Sequence, residues 1–293
     1  MIDGFLTIDK PPGLTSHDVV QRVRQWAGQR RVGHLGTLDP LATGVLPIAL
    51  GEATKLSRLL THGEKAYRGT LRLGVSTTTY DREGERVAEY SGGWPDEAQV
   101  RRALSRFEGR IEQVPPPFSA VKRGGQAAYR RARRGEDVQL EPREVTIFRI
   151  ELMRYEPPDA EIEVDCTSGT YLRSIAHDLG EAMGTGGTLW DLIRTRSGPF
   201  GLEGAVPLDR IDDLGSERVV PMAAGTALPS FPVDARTSRR VGNGVQLGRQ
   251  EVRGAPPEGV VQLVREGKLV ALVEAQRGLP ELRTLRVFLE GTR

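Results

Sequence analysis

The loop formed by residues 31–47 contains the acidic residue with the most unusual surroundings in the chain. Asp39 precedes Pro40, which biases the Asp39 backbone away from the helical region, and the loop has three glycines and a second proline. Its apolar residues Leu38, Leu41, Val45 and Leu46 predict that the loop is packed against the protein. A carboxylate placed there needs a cation or several hydrogen bonds to remain ionised, and it can then attack carbon or accept a proton. Taken alone, however, an Asp-Pro pair is more often a structural turn.

A second segment, residues 166–180, can supply the cation. It leads from a predicted strand through a glycine turn into a predicted helix, and Arg173 lies in the first turn of that helix. A guanidinium in this position can bind a neighbouring carboxylate through two hydrogen bonds. From the sequence alone, Arg173 could equally be a surface residue or part of a structural ion pair.

Aromatic and basic residues elsewhere in the chain indicate contacts to RNA. Three prolines at 115–117 lead into Phe118 and a basic stretch that contains Tyr129. Tyr67 stands at the start of a predicted strand and, taken alone, is more often a packing residue. Residues 120–135 include six Lys or Arg and no Asp or Glu. Basic side chains bind phosphates and aromatic rings stack on bases, so this combination suits RNA. A solvated helix face explains the basic charge equally well.

The elements that must position these residues alternate irregularly between strands and helices. Ser16 is the predicted N-cap of a helix that runs to about Trp26. Further predicted elements are strands at 5–8 and 67–73, helices at 95–107 and 170–183, and a hairpin of strands at 144–155 and 160–166. Because no regular βαβ repeat is present, we predict an α+β fold with a mixed or antiparallel sheet flanked by helices.

A domain boundary is predicted near residues 225–229. Short strands at 260–264, 268–274 and 284–289 predict a small β-rich unit beyond it. From Leu228 onward there are 11 Lys or Arg and 7 Asp or Glu, so this part is basic. We therefore expect a catalytic domain at 1–227, with an RNA-binding insertion at about 110–145, and a second domain at 228–293.

Composition narrows the classes of function. The single cysteine excludes a disulfide within the chain and a cysteine-rich zinc site, and the four histidines lack metal-site spacing. The first residues lack a signal-peptide pattern and no run of eighteen apolar residues occurs, so we expect a cytoplasmic protein. The net charge of +2 does not by itself identify a nucleic-acid-binding protein.

Taken together, the motifs resemble those of the bacterial TruB tRNA pseudouridine synthases. The resemblance covers residues 4–213 and rests on the motifs at 9–16, 33–44, 65–67, 168–173 and 192–200. The insertion resembles the tRNA-binding insertion of stand-alone bacterial members, which separates the chain from the guide-RNA-dependent, dyskerin-like branch. The remaining C-terminal part is similar to the small PUA RNA-binding domain. Phe118 stands where family members often have tyrosine.

The resemblance implies conversion of uridine 55 in the T-loop of tRNA to pseudouridine, with the base flipped out and no cofactor or metal. Asp39 would be the catalytic carboxylate, Arg173 would orient it, and Tyr67 would stack on the uracil. His34 would fill the gap left in the T-loop, with a loop-stabilising role as the equal alternative. The other implied substrate-binding residues are Tyr171, Leu192, Lys10, Lys65, Lys122, Arg130 and Arg133.

The sequence leaves several alternatives open. Asp39 could attack carbon 1′ of the ribose or remove a proton from carbon 2′. We expect the T-stem-loop of tRNA as partner, no guide RNA or protein partner, no membrane, and a monomer. The alternative function is a non-catalytic tRNA-folding chaperone, for which the insertion and the C-terminal part would suffice. A hydrolase of small glycosides needs a second carboxylate in the site, and no motif provides one.

Overall fold

A computed structural model of the chain describes residues 1–119, 122–123, 126–127 and 140–288. The strands of the N-terminal part are β1 (Gly4–Lys10), β2 (Val32–His34), β3 (Thr43–Leu50), β4 (Lys65–Leu73), β5 (Val75–Thr77), β6 (Arg86–Glu89), β7 (Gly109–Gln113), β8 (Lys122–Arg123), β9 (Gln126–Ala127), β10 (Arg143–Glu156), β11 (Asp159–Cys166), β12 (Gly187–Ser197), β13 (Phe200–Gly201) and β14 (Val206–Pro207). The helices are α1 (Ser16–Ala27), α2 (Ser57–Thr61), α3 (Glu97–Leu104), α4 (Leu172–Met183) and α5 (Met222–Gly225).

One mixed sheet forms the framework of this part. Its strand order is β14-β1-β3-β12-β4-β11-β10-β7, with β13 beside β12 and β2 beside β3. Most neighbours are antiparallel, whereas β12 pairs in parallel with β3 and β1 pairs in parallel with β14. Helices α1, α3 and α4 pack their apolar faces onto the sheet in a common core. The predicted α+β class is therefore confirmed, and the predicted hairpin is β10–β11.

The start of α1 differs from the prediction by one residue. Thr15, not Ser16, is the N-cap, because its hydroxyl accepts a hydrogen bond from the Asp18 amide while the Asp18 carboxylate accepts one from the Thr15 amide. The buried Ser16 hydroxyl instead binds the backbone of Leu38. It accepts from the Leu38 amide at 2.8 Å and donates to the Leu38 carbonyl at 3.1 Å. This side chain thus ties α1 to the loop that contains Asp39.

Helix α4 lies unusually close to β12. A Cβ atom at Gly180 would lie 2.0 Å from the Gly187 nitrogen, and one at Gly187 would lie 2.2 Å from the Ala176 carbonyl oxygen. Only glycine permits this approach of helix and strand backbones. The predicted helix at 170–183 begins two residues later than expected, because Tyr171 has an extended backbone.

A small β-rich unit follows residues 225–229. It contains the helix α6 (Ala235–Gly242) and a sheet of β15 (Ser230–Pro232), β16 (Leu247–Gly248), β17 (Gly259–Arg265), β18 (Lys268–Ala275) and β19 (Glu281–Val287). Its Leu269, Leu272 and Phe288 share an apolar cluster with Phe5 and Leu56 of the N-terminal part. The two parts are therefore in direct hydrophobic contact. Within the described residues, no helix is both long enough and apolar enough to cross a bilayer.

Candidate active site

The loop that contains Asp39 is held to β12 by a buried arginine. The guanidinium of Arg194, which is 1% exposed, donates to the carbonyl oxygens of Val45 at 2.8 Å, Gly36 at 3.1 Å and Thr37 at 3.2 Å. At Gly44, which has a φ of +93°, a Cβ atom would lie 2.3 Å from the Arg194 carbonyl oxygen. The loop backbone thus lies against the strand and receives three charge-assisted hydrogen bonds.

A buried lysine contacts the middle of the same loop, at the residue after Asp39. The Lys10 ammonium donates to the carbonyl oxygens of Pro11 at 2.8 Å and Pro40 at 3.2 Å, and the Lys10 side chain is fully buried. Burial lowers the Lys10 pKa from 10.5 to about 8, while the nearby charge of Asp39 acts in the opposite direction. Leu38 and Leu41, on either side of Asp39, are buried in the core, so the predicted packing of the loop is confirmed.

The Asp39 carboxylate forms an ion pair with Arg173. Arg173 Nη2 lies 2.9 Å from Asp39 Oδ2; the Arg173 side chain is 5% exposed and the Asp39 side chain 37% exposed. The guanidinium is also fixed through Nη1, which donates to the carbonyl oxygens of Thr79 at 3.3 Å and Phe118 at 3.2 Å. The cation is therefore immobilised inside the protein, whereas the carboxylate remains accessible from solvent.

A second carboxylate, that of Asp81, contacts the other side of Arg173. Asp81 Oδ2 lies 3.4 Å from Arg173 Nη1, and the Asp81 side chain is 6% exposed. Asp81 Oδ1 accepts hydrogen bonds from the Thr79 hydroxyl at 2.6 Å and from the Glu83 amide at 3.1 Å. The Arg173 Nε atom is buried without a hydrogen-bond partner among the described residues. Two carboxylates thus share one buried guanidinium. Of these two carboxylates, only that of Asp39 is appreciably exposed to solvent.

Tyr67 and Leu192 lie on neighbouring strands of the sheet. Tyr67 of β4 pairs with Arg194 of β12, and Leu192 pairs with Gly69. The missing side chain of Gly69 leaves room for Leu192, whose Cδ1 would lie 3.2 Å from a Cβ atom there. Burial raises the pKa of the Tyr67 hydroxyl and the charge of Asp39 adds to this, whereas Arg194 opposes it. Tyr67 is therefore a neutral phenol close enough to Asp39 to be influenced by its charge.

Tyr171 lies directly before α4 and is held by Gln113. The Gln113 amide accepts from the Tyr171 nitrogen at 2.8 Å and donates to the Tyr171 carbonyl at 3.0 Å. Burial raises the pKa of the Tyr171 hydroxyl, and the charge of Asp39 also acts in this direction, against Arg143 and Arg173. Like Tyr67, Tyr171 is therefore a neutral side chain in the vicinity of Asp39.

His34 and Lys65 belong to the surroundings of Arg194. Burial lowers the His34 pKa, as do the charges of Arg194 and His17, and His34 Nδ1 has no hydrogen-bond partner among the described residues. The Lys65 ammonium donates to the Ser197 hydroxyl at 3.0 Å, and the side chain is 3% exposed. Burial lowers the Lys65 pKa from 10.5 to about 8. Lys10 and Lys65, which we expected to contact substrate, thus bind groups inside the protein.

The remaining predicted substrate-binding residues belong to the predicted insertion. Lys122 lies in β8, a two-residue strand that pairs with β9. Arg130 and Arg133 lie outside the described residues. In the part of the chain that the structure describes, no group of three or more His, Cys, Asp and Glu side chains is arranged to hold a metal ion.

Two supporting residues of the site were missed in the sequence analysis. Arg194 could have been found from strand alternation, because it lies two residues after Leu192 and therefore on the same face of the strand. Its three carbonyl partners could not have been found in this way. Asp81 lies in a polar turn without apolar periodicity, so no sequence signal placed it beside Arg173, 92 residues further along the chain.

Comparison with known protein families gives two matches in the N-terminal part. The N-terminal domain of TruB family pseudouridylate synthases matches residues 24–172, and the C-terminal domain of tRNA pseudouridylate synthase B matches residues 173–219. The tRNA pseudouridine synthase B of Geobacter sulfurreducens is 42% identical, over 98% of this chain and 100% of its own length. That of Thermobifida fusca is 46% identical, over 95% of this chain and 96% of its own length.

Solved structures show the same fold. A Cbf5-Nop10-Gar1 complex contains a chain with a TM-score of 0.75 and 28% identity, matched over 98% of this chain and 85% of that chain. An H/ACA RNP bound to a substrate RNA containing 2′-deoxyuridine gives a TM-score of 0.74 and 25% identity over the same shares of the two chains. Sequence relatives, family matches and fold all agree, and the chain belongs to the TruB family of pseudouridylate synthases.

Proposed function

We propose that this pseudouridine synthase acts on uridine 55 in the T-loop of tRNA, with Asp39 as the catalytic carboxylate. The observation that carries the proposal is the Asp39–Arg173 ion pair, in which an accessible carboxylate rests on a buried guanidinium. The guanidinium holds the Asp39 carboxylate in a fixed position that a substrate can reach from solvent. The names of the relatives support tRNA as the substrate class.

The reaction is an isomerisation, so its atoms and electrons balance without a further reactant. The bond between ribose carbon 1′ and uracil nitrogen 1 breaks, the ring turns, and carbon 1′ bonds to carbon 5. The proton on carbon 5 is lost, and nitrogen 1 gains one. In the first route the Asp39 carboxylate attacks carbon 1′ as nitrogen 1 leaves, and the bond to Asp39 breaks when carbon 5 bonds to carbon 1′. In the second route Asp39 removes a proton from carbon 2′ as nitrogen 1 leaves, and carbon 2′ regains a proton when carbon 5 bonds to carbon 1′. Both routes require an ionised, accessible carboxylate, and Arg173 supports both by fixing its position.

The uridine must leave its stack before Asp39 can reach it, at a cost of a few kcal/mol. We propose that Tyr67 stacks on the extruded uracil, which returns roughly 1–3 kcal/mol. A neutral Tyr67 suits this role, because a phenolate would place a second negative charge near Asp39. Tyr171 and Leu192 would line the pocket, and His34 would occupy the gap that the base leaves in the T-loop. Lys10 and Lys65 would support the site from inside the protein.

The rest of the tRNA would bind to basic surfaces outside the site. We propose that Lys122, Arg130 and Arg133 of the insertion contact phosphates, and that the β-rich unit at 228–293 is a PUA-like RNA-binding domain. The chain would act as a monomer without guide RNA or protein partner, as expected for a stand-alone enzyme. Its location would be the cytoplasm, where tRNA is available.

A site-mapped pseudouridine assay tests this function. Unmodified tRNA is incubated with the purified chain, and a tRNA with cytidine at position 55 serves as the matched control. We expect pseudouridine at position 55 of the first RNA and none in the second. Modification at another position would contradict the proposed target, and tight binding without any product would favour the chaperone.

A further inference from the structure

Tyr80 has a backbone conformation that residues other than glycine rarely adopt. Its φ is +62°, in the left-handed region, where a residue other than glycine is strained. Tyr80 lies between Thr79, whose carbonyl accepts a hydrogen bond from Arg173, and Asp81, whose carboxylate pairs with Arg173. The strained residue is therefore the link between two groups that hold Arg173.

The Tyr80 ring is stacked on the ring of His177. The ring centroids are 3.9 Å apart and the planes differ by 3°. His177 lies on α4 four residues after Arg173, so the two side chains project from the same face of the helix. His177 Nδ1 is buried and has no hydrogen-bond partner in the described part of the chain. Among the described contacts, the stack with Tyr80 thus fixes one face of the His177 ring.

The backbone of the same turn is fixed to the sheet. The Tyr80 carbonyl accepts a hydrogen bond from the Leu189 amide at 2.9 Å, and the Arg82 amide donates to the Leu189 carbonyl at 3.0 Å. The Thr77 hydroxyl donates to the Asp81 carbonyl at 2.7 Å. Backbone hydrogen bonds therefore join the turn to β12, while the Tyr80 ring joins it to α4, the helix that contains Arg173.

We propose that Tyr80 and His177 are a pair of positioning residues for the pseudouridylation reaction. Their stack fixes the turn against α4. The position of the turn determines where Asp81 and the Thr79 carbonyl hold the Arg173 guanidinium, and the guanidinium in turn determines the position of the Asp39 carboxylate. The proposal rests on the proposed function, because the pair acts on the chemical step through Arg173. The strain at Tyr80 is retained because the ring is needed at this position.

The test is a comparison of Tyr80→Gly with Tyr80→Phe in single-turnover and steady-state assays on unmodified tRNA. Glycine accepts a left-handed backbone without strain, so Tyr80→Gly removes the ring while favouring the native turn. We expect kcat to fall about 10- to 100-fold, as for a small misplacement of a catalytic group, with KM almost unchanged. Tyr80→Phe keeps the ring and should retain most of the wild-type kcat.

Two further variants control for general effects. Ala227 is an exposed residue with a φ of 55°, so Ala227→Gly makes the same backbone change away from the site and should leave kcat unchanged. His177→Ala should reproduce the loss in Tyr80→Gly, and the double variant should be no worse than either single one, because both break the same contact. His177→Ala also keeps the proposal testable if Tyr80→Gly does not fold.

The possible results separate this inference from the proposed function. If the wild-type protein forms pseudouridine and both Tyr80→Gly and His177→Ala retain the wild-type kcat, the positioning role is wrong. A rise in KM at constant kcat would also overturn it, because it would place the ring in RNA binding. If the wild-type protein forms no pseudouridine in any tRNA, the proposed function fails and this inference fails with it.

Discussion

The guanidinium of Arg173 is shared by two carboxylates with different surroundings. Asp81 is buried and accepts further hydrogen bonds from Thr79 and Glu83, whereas Asp39 is over one-third exposed. A buried cation with two anionic partners is held from both sides, so its position does not depend on Asp39 alone. Asp39, the proposed catalytic carboxylate, can consequently change its contacts while Arg173 stays in place.

Asp81→Asn tests this division of roles. The amide removes one negative charge beside a buried guanidinium, and hydrogen bonds to charged groups contribute about 1.5–3 kcal/mol each. We expect the free energy of unfolding to fall by roughly that amount and kcat to fall at least about 10-fold, with KM unchanged. Chemical denaturation and steady-state kinetics measure these quantities.

Asp191→Asn is the matched control, because Asp191 pairs with Arg82 on the surface and is 55% exposed. Exposed ion pairs contribute little, so neither kcat nor stability should change appreciably. A loss in Asp191→Asn equal to that in Asp81→Asn would contradict the specific role of Asp81.

The lowered pKa of Lys65 predicts that the stability of the protein depends on pH. This pKa is about 8 in the folded protein, against 10.5 for an exposed lysine, so between these values the unfolded chain binds more protons. The free energy of unfolding must therefore rise with pH as the buried charge is lost. Relative to Lys65→Met, the wild-type protein should gain roughly 1 kcal/mol between about pH 7 and pH 9. Urea denaturation at both pH values gives the difference.

Lys55 lies on the surface and provides the comparison for this experiment. Lys55→Met should keep the same stability difference from the wild-type protein at both pH values. If the stability difference between Lys65→Met and the wild-type protein is also the same at both pH values, burial does not lower the Lys65 pKa.

Single residues were predictable from the sequence where a motif surrounds them. The resemblance of the motifs at 33–44 and 168–173 to those of the TruB family indicated Asp39 and Arg173, and the structure places the two side chains in contact. The sequence did not predict that the Lys10 and Lys65 ammonium groups bind groups inside the protein, because lysine is usually exposed. Their partners include the Pro40 carbonyl and the Ser197 hydroxyl, which lie far away along the chain. Asp81 requires the folded structure for the same reason.

At the scale of secondary-structure elements, the site depends on the contact between α4 and β12. Helix α4 carries Arg173, and β12 carries Arg194, which holds the Asp39 loop. The distance between the two halves of the ion pair is thus set by how closely this helix approaches the strand. Gly180 and Gly187 permit that approach.

Gly180→Ala should separate the helix from the strand. Alanine at a helix position normally stabilises by about 1 kcal/mol relative to glycine. Here its Cβ atom would lie 2.0 Å from the Gly187 nitrogen, and rigid backbone cannot move aside cheaply. We expect a net destabilisation of about 1–3 kcal/mol and a lower kcat, measured by thermal unfolding and product formation.

Gly204→Ala is the control, because a Cβ atom there meets nothing within 4 Å. It should leave both thermal stability and kcat near the wild-type values. An unchanged or raised melting temperature in Gly180→Ala would show that the close helix–strand contact does not constrain the protein.

Element types were largely predictable, whereas their arrangement was not. Alternation of apolar residues predicts β4, and stretches rich in Ile, Val and Phe predict β10 and β11. The sequence also predicts a cap at the start of α1, but at Ser16 and not at Thr15. The two residues have similar side chains, and only the partner of Ser16, the distant Leu38 backbone, distinguishes them. The strand order could not be read locally, because β12 pairs with β3 and β4 across long separations.

At the scale of the whole molecule, the β-rich unit and the N-terminal part share buried surface. Phe5 and Leu56 from one part pack with Leu269 and Phe288 from the other. The buried amide of Gln262 also donates to the carbonyl oxygens of Ala223 and Leu228 in the connecting segment. This contact couples the proposed RNA-binding unit to the part that contains Asp39.

Calorimetry tests the coupling between the two parts. Because they share a hydrophobic cluster, we expect a single unfolding transition for the whole chain. Leu269→Ala truncates a side chain that is 3% exposed and should reduce the free energy of unfolding by about 2–5 kcal/mol. We therefore expect the temperature of the single transition to fall without the transition splitting in two. Two separate transitions, with only one of them moved by Leu269→Ala, would show that the parts unfold independently.

The most direct test of the account is the effect of Asp39→Asn on product and binding measured on the same tRNA. Asparagine keeps the shape of the side chain but cannot attack carbon or accept a proton. We predict that pseudouridine formation falls more than about 1,000-fold, while the dissociation constant for tRNA stays within a few-fold of the wild-type value. Product formed at a wild-type rate by Asp39→Asn would contradict the central claim that this carboxylate performs the chemistry.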